Sequence, residues 1–170
     1  MFDGPTEHVF LDTEVFVRFG FQYLSTALKI VAHLIKLGRL TLVITDIVTR
    51  EVEAQIDKAI RAAHNAQKKF SQEDGRILGS SGIKEVADKI VWFDKKAAVE
   101  DLHERFHKFL ADNKAIVIKT ADVPVSEILD DYFNGNHPVG SGEPKPEFPD
   151  AINVKALIAG GKRMTGTSTW

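Results

Sequence analysis

The sequence predicts an α/β fold in which a parallel sheet lies between helices. Three short apolar segments indicate the strands, at residues 9–11, 40–44 and 115–118. Each is followed by a longer stretch whose apolar residues recur at helical spacing, and strands that alternate with helices are typical of a parallel sheet. A chain of 170 residues suits one domain, so we expect residues 1–170 to form a single unit.

The first strand segment, HVFLDTEVF from His8 to Phe16, ends its apolar run on Asp12. This pattern predicts a buried central strand that brings Asp12 to the carboxyl edge of the sheet. Ligands of open α/β sheets bind in the crevice outside that edge. The alternative role for Asp12 is a simple helix cap, which is the commoner role for Asp in this position.

The next helical pattern is predicted to stop at Gly38, before a second buried strand at residues 40–44. Thr45 and Asp46 then offer caps for a long helix with apolar residues on one face. Glu51 lies in the first turns of that helix, beside the apolar stripe, and can point along the sheet edge towards Asp12. A solvated surface glutamate is the alternative.

Residues 71–82 are polar and contain glycine, which predicts a loop, and a helical pattern follows to about residue 113 with a break at 94–96. Within it His103, Glu104 and His107 match H-E-x-x-H, in which two histidines bind zinc and the glutamate acts as base. A catalytic zinc also needs a third protein ligand, and no extended pattern follows. We therefore expect solvent-facing histidines.

A third strand at 115–118 and a helix at 124–133 precede NGNHPVGSGEPKP, a loop rich in glycine and proline at 134–146. Long loops inside compact domains are usually functional or disordered. The segment EFPDA then begins a helix that runs to Gly160 and Gly161, with Asp150 in its first turn after Pro149. A helix cap is again the alternative role for Asp150.

The three acids together resemble the acidic residues of PIN-domain ribonucleases. The similarity lies in Asp12 of FLDTEVF, Glu51 of ITDIVTREV and Asp150 of EFPDA, and it spans about residues 8–160. It is greatest for the PIN-like branch in which a Gly/Pro-rich loop precedes Glu-Phe-Pro-Asp-Ala. The resemblance implies a PIN-like three-layer fold and a metal-dependent endoribonuclease with Asp12, Glu51 and Asp150 as catalytic and metal-binding residues. Carboxylate and water ligands favour Mg²⁺ or Mn²⁺.

The chain also departs from the family pattern. Glu14 is an extra acid where PIN domains usually carry Asn close after the first aspartate, and no acid follows Asp150. The tail GGKRMTGTSTW has no strand pattern, so we expect a C-terminally incomplete domain that lacks the last strand or strands. An unpaired sheet edge favours dimerisation or aggregation. The alternative function is a catalytically incomplete PIN-like module that binds nucleic acid or protein.

The chain has no net positive charge that would attract nucleic acid over its whole surface, because its 22 Lys and Arg residues are balanced by 24 Asp and Glu residues. RNA contact would need a local patch, for which the candidates are Arg50, Lys58, Arg61 and Lys145. RNA is favoured over DNA by the resemblance alone, and the sequence identifies no inhibitory partner protein. The absence of cysteine excludes disulfides and thiolate metal sites. With no signal peptide and no apolar run of about 18 residues, we expect a cytoplasmic protein without a membrane span.

Two other enzyme classes fit the first strand less well. A haloacid-dehalogenase-like phosphatase would carry Asp two residues after Asp12, where this chain has Glu14. A dinucleotide-binding Rossmann fold would carry a glycine fingerprint after the first strand, and DTEVFVRFG offers none.

Overall fold

The computed structural model describes residues 7–74, 93–134 and 148–164. In chain order its strands and helices are β1 (Glu7–Phe10), α1 (Thr13–Arg18), α2 (Thr26–Lys36), β2 (Leu40–Thr45), α3 (Asp46–Lys69), α4 (Lys95–Asp112), β3 (Ile116–Ile118), α5 (Val125–Phe133) and α6 (Phe148–Met164). A π-helical turn, Phe70–Asp74, extends α3, and a 3₁₀ turn, Thr120–Asp122, follows β3. Three predicted segments lie wholly or mostly outside the described residues: the loop at 134–146 from residue 135 onward, the loop at 71–82 from residue 75 onward, and the helical pattern before residue 93.

The described strands form a three-stranded parallel sheet in the order β1-β2-β3. Val9 lies opposite Leu42 in one pair of strands, and Thr45 lies opposite Ile118 in the other. A parallel sheet with helices packed against it confirms the predicted α/β class. It also makes β2 the central strand, and residues 42–45 of β2 are buried.

The prediction that the first strand is central is wrong for the described part of the sheet. Within the described residues β1 pairs with β2 alone, and its first two residues, Glu7 and His8, are exposed. No described strand lies along the other edge of β1.

The main core lies between the sheet, α1, α3 and α4. Apolar residues of α3 recur at helical spacing (Val48, Val52 and Ile56) and are fully buried. Phe106 and Phe109 of α4 pack edge-on against Phe16 of α1, with ring centroids 5.3 and 6.1 Å apart. These contacts hold α1, which follows Asp12 directly, against α4.

A second, smaller core joins α5 to α6. Ile128 of α5 and Ala151 of α6 are both buried, and Val123 and Ile152 pack against them. Asp150 lies in the first turn of α6, as predicted. The small core therefore fixes α5 against the helix that carries the third predicted acid.

Two predicted helix boundaries are confirmed. Leu37 caps the C-terminus of α2, and Gly38 follows with φ of +68°, a left-handed conformation that glycine adopts without a steric penalty. The break expected at 94–96 is the start of α4, where the Asp94 carboxylate accepts hydrogen bonds from the N–H groups of Lys96 and Ala97. Local residue patterns were enough to locate the end of α2 and the start of α4.

We expect Leu28→Ala to lower the free energy of unfolding by about 2–5 kcal/mol, because it removes a buried side chain and leaves a cavity. Leu28 is 1% exposed in α2, whereas Leu24, in the turn that precedes α2, is 77% exposed. The matched control Leu24→Ala should change stability by less than about 0.5 kcal/mol. Urea unfolding measures both, and equal losses would contradict the packing of α2.

Candidate active site at the carboxyl ends of the strands

Asp12 lies just beyond the end of β1, after the buried Leu11. Its carboxylate caps α1, with Oδ1 accepting a hydrogen bond from the N–H of Thr13 at 2.7 Å. The side chain is otherwise at the surface. Asp12 therefore has the capping role that was the alternative, in the place where the resemblance requires a ligand.

Glu51 reaches the same point from α3. The hydroxyl of Thr13 donates a hydrogen bond to Glu51 Oε2 at 2.7 Å, in a partly buried setting. Thr13 therefore donates its N–H to one predicted acid and its O–H to the other. The structure brings Asp12 and Glu51 to one residue at the carboxyl edge of the sheet, although 38 positions separate Thr13 from Glu51 in the chain.

Asp150 approaches this edge from α6, where it is exposed. One turn later, the buried Asn153 accepts a hydrogen bond through Oδ1 from the hydroxyl of Thr45, the last residue of β2, at 2.6 Å. The first turns of α6 therefore lie at the end of the central strand. Within the described ranges, no three His, Asp or Glu side chains converge closely enough to ligate one metal directly.

Sequence reasoning missed the role of Asp46. Thr45 is the residue that caps α3, with Oγ1 accepting the N–H of Val48 at 3.2 Å. Asp46 instead accepts two hydrogen bonds from Thr120, one from the N–H at 3.0 Å and one from the hydroxyl at 2.6 Å. The ends of β2 and β3 are thus joined by polar side chains. The available signal was a polar residue shortly after each predicted strand.

The environment of Asp46 favours its charged form. Partial burial alone would raise the pKa of this carboxyl, but the two Thr120 hydrogen bonds, the nearby Arg50 charge and the Ile47 N–H outweigh it, so the pKa is lowered. Asp46 is therefore a fixed negative charge at the carboxyl edge, directed towards β3.

The donor chemistry at this edge fits a hard divalent cation. Mg²⁺ is commonly held by one or two carboxylates, with waters completing an octahedral shell. Asp12 and Glu51 supply two carboxylates on either side of Thr13. Two carboxylates are thus available at this edge for a divalent cation.

The other predicted residues lie at different distances from this edge. Glu14 is exposed in the first turn of α1. The charge of Arg50 acts on Asp46, so Arg50 is close to the strand ends. Arg61 lines a pocket with Lys95 and Lys96 of α4, about 15 Å along α3 from Glu51 at 1.5 Å per residue. Lys58 is exposed on α3 between Glu51 and Arg61, and Lys145 lies outside the described residues.

Both H-E-x-x-H histidines contact acids of α3, and the expectation that they face solvent holds for the exposed His107 but not for the partly buried His103. His107 Nε2 lies 2.8 Å from Glu53 Oε1, and His103 Nε2 lies 3.1 Å from Asp57 Oδ1. The motif thus forms two contacts between α3 and α4, and Glu104 is exposed. The two histidines of the motif therefore each pair with a different acid of α3 and do not share one partner.

The fold and site together define an α/β protein with acidic side chains gathered after parallel strands. A family model described as "PIN domain" matches residues 9–162. The chain therefore belongs to the PIN-domain family. PIN domains are nucleases, usually ribonucleases, that generally bind RNA and depend on divalent metals. No curated protein and no solved structure matches the chain significantly.

Among the described residues, no helix combines the length and apolar character needed to cross a membrane.

We expect Thr120→Val to lower stability by about 1 kcal/mol at neutral pH, because it removes the hydroxyl that stabilises the Asp46 carboxylate. The Asp46 pKa lies below its ordinary value of 3.8 in the folded protein, so this stabilisation is present above pH 3.8 and is lost as the pH falls through the folded-state pKa. Urea unfolding from pH 7 to pH 2.5 should show that the difference in free energy of unfolding between Thr120→Val and the natural protein becomes smaller in acid. Thr120→Ser keeps the hydroxyl and should behave as the natural protein. A gap that is constant with pH would contradict the assignment.

Proposed function

We propose that this protein is a divalent-metal-dependent endoribonuclease whose active site is formed by Asp12, Glu51 and Asp150. The observation that supports the proposal most directly is the pair of hydrogen bonds made by Thr13, which bring Asp12 and Glu51 together at the carboxyl edge. Membership of the PIN-domain family supplies the reaction class.

In this proposal Asp12 and Glu51 would hold Mg²⁺ or Mn²⁺ directly, and Asp150 would contribute from α6 through a metal-bound water. A bound divalent cation supplies charge neutralisation at the scissile phosphate and a water of lowered pKa. Thr13 orients the Glu51 carboxylate through its hydroxyl and holds Asp12 through its N–H. The chain therefore presents its ligands already oriented, which lowers the ordering cost when the cation and substrate bind.

The electrostatics of the site also favour a cation. Two unit charges about 4 Å apart repel by roughly 4 kcal/mol at an effective dielectric near 20. The Thr13 hydrogen bonds offset part of such a repulsion. The attraction of both carboxylates to a divalent cation would outweigh the rest. Binding of Mn²⁺ should therefore raise the unfolding temperature of the protein, since a ligand that binds only the folded state stabilises it.

We expect the protein to cleave single-stranded RNA with Mg²⁺ or Mn²⁺ and to lose this activity in EDTA. Asp12→Asn, Glu51→Gln and Asp150→Asn should each reduce cleavage by about 100-fold, the upper end of the loss seen when a residue that merely supports a metal ligand is removed. Calorimetric Mn²⁺ titration of the same variants checks that the loss follows metal binding. Glu14→Gln is the control for removing one acid nearby and should retain more activity than any of the three.

EDTA-insensitive cleavage, or full activity in Asp12→Asn, would contradict the proposal. A protein that binds RNA but neither binds Mn²⁺ nor cleaves would instead be the alternative, a catalytically incomplete binding module. The observation that favours this alternative is that no three acids converge within the described ranges.

RNA affinity should fall steeply with salt, because phosphate neutralisation by Lys and Arg releases bound counterions. Arg50→Gln should reduce the slope of log affinity against log salt by about 1, since Arg50 lies close to the strand ends. Arg61→Gln is the matched variant farther along α3 and should change the slope less. Fluorescence anisotropy with a catalytically inactive Asp12→Asn background measures both. Equal effects would contradict an RNA path centred on the strand ends.

A further inference from the structure

We propose that Asn153 is a positioning residue for Asp150, because its hydrogen bond to Thr45 fixes where α6 crosses the strand ends. The inference rests on the proposed function, since it concerns how Asp150 is held as a ligand. Asn153 itself lies one turn away from that carboxylate and acts through the backbone of α6.

The Thr45–Asn153 hydrogen bond is buried on both sides. Thr45 is 0% exposed and Asn153 is 4% exposed, and their side-chain oxygens are 2.6 Å apart. Burying polar groups carries a desolvation cost that the hydrogen bond largely offsets. Two aliphatic side chains would bury the same surface without that cost. The polar pair adds a directional contact, because a fully satisfied buried hydrogen bond favours one position of α6 on the end of β2.

The remainder of this α6 face is made of small residues. Asn153, Ala156 and Gly160 follow one another at i, i+3 and i+7 and so share one face of the helix. Ala156 is buried, and a Cβ at Gly160 would lie 2.6 Å from Ile118 Cδ1. Small side chains let the helix approach the sheet closely but interlock little with it. A directional contact on this face is therefore needed to fix its register.

The two contact points also set the direction of α6. Thr45 and Ile118 are partners across β2 and β3, so α6 touches the end of β2 at Asn153 and the end of β3 at Gly160. The helix therefore crosses neighbouring strand ends obliquely. Traced back towards its start, the axis passes from β3 to β2 and onward to the side of β1, because the strand order is β1-β2-β3.

Asp150 lies three residues before Asn153, about 4.5 Å earlier along the axis and on the same face. The crossing direction therefore carries Asp150 towards the end of β1, where Asp12 follows. A slip of one residue at Asn153 would turn the face by about 100° and move Asp150 away. Loss of the Thr45 contact should accordingly weaken metal binding through Asp150 alone.

The test is a Mn²⁺ titration of the full chain, followed by calorimetry, with urea unfolding of each variant. Asn153→Leu keeps the side-chain size and removes the acceptor, and we expect about a tenfold loss of Mn²⁺ affinity, typical of residues that support a metal ligand. Thr45→Val removes the donor from the opposite side with α6 unchanged, but it also removes the cap of α3, so its loss should be at least as large. Thr45→Ser keeps the hydroxyl and should restore the affinity. Gly161→Ala is the control for altering α6 itself, since a Cβ there meets nothing within 4 Å.

A double-mutant cycle separates positioning from general destabilisation. In an Asp150→Asn background, Asn153→Leu should have no further effect on Mn²⁺ affinity, although its effect on unfolding should persist. In an Asp12→Asn background, the tenfold loss should remain. If Asn153→Leu does not fold, the cycle is run with Asn153→Ala, which also removes the acceptor and leaves the Thr45 cap of α3 in place.

The inference is overturned if the natural protein binds Mn²⁺ and the Asn153 and Thr45 variants bind it within twofold as well. It is also overturned if the loss is the same with and without Asp150. Failure of the natural protein to bind Mn²⁺ would contradict the proposed function first, and the inference with it, so the two failures are distinguishable.

Discussion

The buried hydroxyl of Thr45 is the contact on which the arrangement of the strand ends depends. It lies at the last residue of the central strand, accepts the N–H of Val48 and donates to Asn153. The carbonyl of the same residue accepts a hydrogen bond from the Thr49 hydroxyl. One residue thus ends β2, begins α3 and anchors α6. Because a buried hydroxyl without partners is costly, these three elements are held in a single arrangement.

The same logic extends across the sheet edge. Parallel strands end side by side, so the polar residues that follow them must find partners among one another or in water. Thr13 after β1 binds Glu51, and Thr120 after β3 binds Asp46. Each contact joins a residue after one strand to the helix that follows the central strand. Hydrogen bonds between different elements therefore line this edge, and they hold the side chains of Glu51 and Asp46 in place without a bound ligand.

The local features of this fold could be predicted from sequence because their causes are local. Apolar periodicity indicated α3, glycine marked the end of α2, and the start of α4 lies at the expected break. Long-range pairing could not be predicted in this way. Thr45 and Asn153 are 108 positions apart, and nothing in the periodicity of either segment identifies its partner. The position of β1 at the described sheet edge and the α3-facing histidines were missed for the same reason, since both depend on which elements become neighbours.

Whether Asp12 is a helix cap or a metal ligand is not a choice between exclusive roles. Asp12 caps α1, Asp46 begins α3, and Asp150 lies in the first turn of α6. The N-terminus of a helix favours a nearby carboxylate through its unpaired N–H groups and its dipole. A carboxylate has about four lone-pair sites on two oxygens, and the capping bond of Asp12 uses one of them. Helix N-termini thus lower the cost of placing acids at this edge, and the capping bond of Asp12 leaves lone pairs on its carboxylate unused.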